Sequence, residues 1–76
     1  MTRVHHMRMS STVIGWIGAA IQVVSVLERP IGGGPAQHRY RLAGGPDDGR
    51  EFETLAEVAA YARAVRGSRV RLIRPA

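Results

Sequence analysis

Cysteine is missing from this chain of 76 residues, and so is lysine. The first absence excludes disulfides and thiolate metal sites, so a domain near the lower size limit for a self-sufficient core must hold by packing alone. The second leaves arginine as the only strong base. All eleven basic positions are arginine, against six Asp and Glu, for a formal net charge of +5. A GC-rich coding bias produces the same composition, but the physical consequence stands: a planar guanidinium fork suits carboxylates and phosphates, where an ammonium is a point charge. Aromatic residues are scarce, at 5%, within an apolar content of 45%. That is the composition of a globular chain whose core is built from Val, Ile, Leu and Ala rather than from rings.

A membrane-length apolar run is also lacking. The stretch TVIGWIGAAIQVVSVL, residues 12–27, holds sixteen residues, short of the roughly 20 a spanning helix requires. Arg3 and Arg8 precede it as they would in a signal peptide, yet no small-x-small cleavage site follows and Glu28-Arg29-Pro30 closes the run. The expectation is a protein with no membrane association, in the cytoplasm of a bacterial host.

Along the chain, residues 1–11 (MTRVHHMRMSS) lack periodicity and read as an N-terminal arm, within which Met7 or Met9 offers an alternative start. Residues 12–76 read as a single domain. The run 12–27 admits two readings. Ile14, Ile17, Ile21 and Val24 fall at helical spacing, but Gly15, Gly18 and the many β-branched residues oppose a helix. Those residue types predict two short strands, or one bent at the glycines. The segment Pro30–Pro35, with three glycines, predicts a loop. In residues 37–42, His38, Tyr40 and Leu42 alternate with Gln37, Arg39 and Arg41, as in a strand with two different faces. GGPDDGR then predicts a tight turn.

Thr54 and Glu57 form a capping box ahead of Leu55, Val58, Ala59, Ala62 and Val65, which repeat at helical spacing. Glu53 and Glu57 lie at the positive helix end, Arg63 and Arg66 at the negative end, and Gly67 terminates it. The pattern predicts a helix over about 55–66, with Phe52 packed under its first turn. A last strand follows at 69–75, with Val70 and Leu72 inward and Arg69, Arg71 and Ile73 outward. A lone amphipathic helix must bury its stripe on a sheet. The predicted fold is therefore α+β: one small domain, an antiparallel sheet of three to five strands with one helix on one face. Its two-stranded N-terminal region leaves an edge available for homodimerisation.

No catalytic motif emerges. His5, His6 and His38 lack metal-ligand spacing. Gly32-Gly33-Gly34 is followed by proline and a strand pattern rather than by the helix of a phosphate loop. Asp47-Asp48 sits in a Pro-Asp-Asp-Gly turn, where aspartate serves local hydrogen bonding. The expectation is a non-enzymatic protein with no cofactor, metal or small-molecule substrate.

Two charge clusters remain. Asp47, Asp48, Glu51, Glu53 and Glu57 place five of the six carboxylates within residues 47–57. If the strands at 37–42 and 69–74 share the sheet, Arg39, Arg41, Arg69 and Arg71 project from the face opposite the helix, a field attractive to phosphate or carboxylate. The bland alternative is that each cluster serves its own secondary structure. Opposite fields on a small rigid domain favour oriented docking on a charged partner.

The segment R-E-F-E-T-L-A-E-V-A-A-Y, residues 50–61, after a hairpin and before a last strand, resembles the strand–Thr–helix passage of small phage-encoded type I anti-CRISPR proteins. The resemblance covers about residues 37–74. It implies an inhibitor of phage or mobile-element origin that binds a type I CRISPR surveillance complex and blocks target DNA binding or nuclease recruitment. Many such proteins are acidic DNA mimics, whereas this chain is basic. The implied contacts are thus local mimicry by the 47–57 strip, or occlusion through the arginine face. The alternative reading is a small basic accessory protein that binds the nucleic-acid backbone with Arg39, Arg41, Arg69 and Arg71.

Overall fold

The computed structural model describes residues 7–73. In chain order they form β1 (Met7–Ile17), β2 (Ile21–Pro30), β3 (Gln37–Ala43), β4 (Glu51–Phe52), α1 (Leu55–Tyr61) continued by a π-helical turn (Ala62–Arg66), and β5 (Val70–Leu72). The strands make one antiparallel sheet in the order β4-β3-β2-β1-β5. The expected α+β architecture, with one helix on one face of the sheet, is the one observed. No helix among the described residues is long and apolar enough to cross a membrane.

Residues 12–17 and 21–27 are strands, as the β-branched content of the run predicts. Gly18 opens the connecting turn with a φ of 63°, a left-handed conformation that glycine adopts without strain. The expected bend is a bulge between Val13 and Gly15 in the β1–β2 register. Gly15 has a second task. A Cβ there would lie 2.3 Å from the Arg71 carbonyl oxygen, so only glycine lets β5 lie against β1. The arm expected over 1–11 does not hold for its described part. Residues 7–11 form the first half of β1, paired with β2, because the pairing of strands draws in a polar stretch that has no apolar pattern of its own. The remaining positions of that arm lie outside the described residues.

The core gathers at one end of the sheet. Ile17, Ile21, Val23 and Leu42 form its floor, and Val58, Tyr61 and Ala62 cover them. Tyr40 and Phe52 pack against this cluster from the inward positions expected of them. The capping box is complete: Thr54 Oγ1 accepts from the Glu57 N–H at 3.1 Å, and Glu57 Oε1 accepts from the Thr54 N–H at 3.1 Å. Two inward assignments fail. Val65 is 58% exposed because the π-helical turn after Tyr61 takes more residues per turn and rotates it out of the stripe; Tyr61, three residues after Val58, is buried ahead of that turn. Leu72 is half exposed because it lies at the far end of β5 on the sheet margin, whereas Val70 of the same strand packs against the core.

Candidate functional site

The two charge clusters fare differently once folded. Four of the five acidic residues in the 47–57 strip are held by the domain's own groups. Asp48 Oδ1 accepts from the Gly44 N–H at 2.7 Å, closing the turn. Asp47 Oδ2 accepts from the Tyr61 hydroxyl, tying that turn to α1. This hydrogen bond, with burial and the Asp47 charge, raises the Tyr61 pKa above its ordinary value, and Arg50 and Arg66 act in the opposite sense. Glu57 Oε1 accepts from the N–H groups of Glu53, at 2.8 Å, and Thr54. Glu51 Oε1 accepts from Arg39 Nη1 at 3.5 Å. Only the Glu53 carboxylate, among the described acids of this strip, makes no side-chain hydrogen bond or ion pair to another described residue. It lines an open groove of about 640 Å³ with Arg50, Phe52, Glu57, Tyr61 and Val65. Arg50 lies over this aromatic wall, its guanidinium carbon 5.4 Å from the Phe52 ring centre and 5.1 Å from that of Tyr61.

The arginines do not form the single four-residue patch expected of them. Arg39, Arg41 and Arg71 do project from the face opposite α1, but β2 and β1 stand between β3 and β5. Three strand spacings separate the pairs by about 14 Å. Strand order is a tertiary property, and the alternation within each strand could not supply it. Arg39 is neutralised where it stands, by ion pairs to Glu28 and Glu51. Arg41 is half-buried and faces Glu51 and Val24 in the register.

Around the β5 margin the charge is of one sign. Arg71 Nη2 donates to the Gly18 carbonyl at 3.2 Å, which braces the β1–β2 turn and leaves its charge uncompensated. Arg69, just ahead of β5, lines a groove of about 290 Å³ with Arg63, Ser68, Val70 and Ala59. Arg66 occupies the same helix end. Among the described residues, none of Arg63, Arg66, Arg69 and Arg71 has a carboxylate within ion-pair distance. Trp16 lies opposite Arg71 in the β1–β5 register, half-buried on the open face. The sequence pattern assigns Trp16 no role and offers Arg63 and Arg66 only as helix-dipole partners. Strict alternation from inward Ile17 would have placed Trp16 outward; its neighbour across the ladder was not readable.

No family model, curated protein or solved structure matches this chain. Among the described residues, no three His, Asp or Glu side chains converge as they would around a metal ion.

Proposed function

We propose that this protein is a small non-enzymatic binding protein that grips the phosphate backbone of nucleic acid with the arginines around β5. The observation that carries this reading is the asymmetry of charge satisfaction. The acids at the β3–β4–α1 end are mostly spent on turns, caps and Arg39, whereas Arg63, Arg66, Arg69 and Arg71 face solvent without carboxylate partners among the described residues. Unpaired guanidinium groups supply the sequence-independent part of nucleic-acid affinity by displacing condensed counterions. Trp16, beside Arg71, adds one plane on which an unpaired base can stack. Relative to the earlier candidate set, the working residues become Arg69 and Arg71 with Arg63 and Arg66, while Arg39 has a structural partner.

A second reading rests on the other end. Glu53 and Glu57, beside Phe52 and the exposed Val65, form an acidic lip on an apolar groove. That lip suits docking on a basic protein surface, and it agrees with the resemblance to inhibitors of type I CRISPR surveillance complexes.

One gel-shift experiment separates the two. Labelled duplex and single-stranded DNA are titrated with the protein, with and without a guide-loaded type I complex, at several salt concentrations. Backbone binding predicts a shift of bare nucleic acid. Four phosphate contacts give a log–log salt slope of about −3 to −4, and Arg69→Glu with Arg71→Glu abolishes the shift. Unshifted bare DNA at low salt sinks that reading. If the complex–DNA band then disappears on adding the protein, the inhibitor reading holds.

A further inference from the structure

Strand β1 is longer than the neighbour on its outer side. It spans Met7–Ile17, but β5 pairs only with Gly15, Trp16 and Ile17, and one further bond runs from the Ile73 N–H to the Ile14 carbonyl at 2.7 Å. Its inner side is laddered to β2 throughout. Among the described residues, no strand lies along the outer edge of residues 7–13. That edge presents about 20 Å of alternating N–H and C=O groups. Most of the devices that usually blunt such an edge are missing, and Arg8 is the one charged residue in the stretch. The stretch holds no proline, no described helix or loop covers it, and its bulge comes only at its end, after Val13. The opposite edge of the sheet, by contrast, is the two-residue β4. The radius of gyration, 14.4 Å, also exceeds the roughly 11 Å of a compact chain of this length, as a projecting ribbon requires.

We propose that two copies of this chain pair through these edges, β1 against β1 and antiparallel, about a two-fold axis at Ser10. An antiparallel edge is complementary to itself, so one segment serves both sides of a closed dimer. Centring the axis on Ser10 uses all of residues 7–13, with Ser10 facing its own counterpart and Met9 facing Ser11. Both are exposed in the protomer, as is Thr12. The direction also fits. Strand β5 is antiparallel to β1, so a second β1 runs the same way as β5 and begins along the edge where β5 stops, at Ile14. The result is one continuous sheet of ten strands, twice the five of each copy. Dimerisation of this kind does not depend on nucleic-acid binding.

Sedimentation equilibrium of the full chain, across micromolar concentrations and without nucleic acid, tests this directly. A reversible dimer is expected. Ser10→Lys sets two ammonium groups face to face at the axis and raises the dimer dissociation constant about tenfold or more, with an unchanged far-UV circular dichroism spectrum. Mixing Ser10→Lys with Ser10→Glu protein restores a dimer. Ser10→Cys supplies the chain's only thiol, and residues directly opposite across an antiparallel pair lie within disulfide reach. Oxidation then yields a covalent dimer. A wild-type chain that stays monomeric throughout overturns the proposal, as does a dimer indifferent to Ser10→Lys.

Discussion

The two faces of the sheet bury valines equally well and by different means. Val23 and Val26 both lie on β2 and are almost fully buried, yet alternation sends them to opposite sides. Val23 sits beside Leu42 in the closed cluster beneath α1. Val26 has no helix over it; its cross-strand neighbours are Arg39 and Ser11, and the half-buried Arg39 is held by Glu28 and Glu51. Arginine stems lay methylene groups over apolar surface while their heads stay polar. Equal burial therefore hides unequal surroundings. One face is closed by the apolar side chains of the helix. The other is roofed by charged side chains.

The largest effect expected from probing that contrast is on the helix side. Leu42→Ala leaves a cavity between the sheet and α1 and costs about 2–5 kcal/mol, measured by urea unfolding. A loss below about 1 kcal/mol would show that α1 closes over the gap and that the core is looser than its burial implies. A sharper comparison keeps the shape and changes the chemistry. Val23→Thr buries a hydroxyl in the closed cluster and costs about 1–3 kcal/mol. Val26→Thr costs less than about 1 kcal/mol, because Ser11, Arg39 and Glu28 lie close enough to offer it polar company. Equal losses in the two variants would mean that the arginine roof excludes water as well as the helix does.

The smallest expected effect reports on the tie between α1 and the acidic turn. The Tyr61 hydroxyl donates to Asp47, and its folded-state pKa is raised above the ordinary 10.0. The sign follows from linkage. The stabilisation is complete below the unfolded pKa and is lost as pH rises through the folded one. Thermal unfolding scans above pH 10 are expected to show a decline that Tyr61→Phe removes. The same alkaline decline in the variant would assign it to the arginines or to the backbone instead.

Much of this architecture is legible without coordinates, for local reasons. The T-x-x-E box and the spacing of Leu55, Val58 and Ala62 carry their own helix, since capping and periodicity act within a few residues. The β-branched run at 12–27 prefers a pleated surface, and its glycines mark the turn and the bulge. Tyr40 and Phe52 point inward because alternation admits only two faces. The acidic strip is half legible. Asp48 and Glu57 have the offsets of turn and cap residues, but the bond from Tyr61 to Asp47 spans fourteen positions and leaves no local trace. Val65 was lost because a π-helical turn has no pattern that distinguishes it from the α-helix it continues.

Composition and short-range pattern alone determined that this chain would be a cysteine-free α+β domain with one capped helix, several strands and two clusters of opposite charge. Propensity, capping and alternation act over a handful of bonds, so a sequence carries them openly. Only tertiary structure decided what the charges do. The strand order β4-β3-β2-β1-β5 parts Arg39 and Arg41 from Arg71 and brings Arg39 to Glu28 and Glu51. It also gathers Arg63, Arg69 and Trp16 around β5 and, among the described residues, leaves the outer edge of residues 7–13 without a neighbouring strand. Pairing between distant segments depends on loop closure and on how one helix fits one sheet, and those contacts are formed by the whole chain at once.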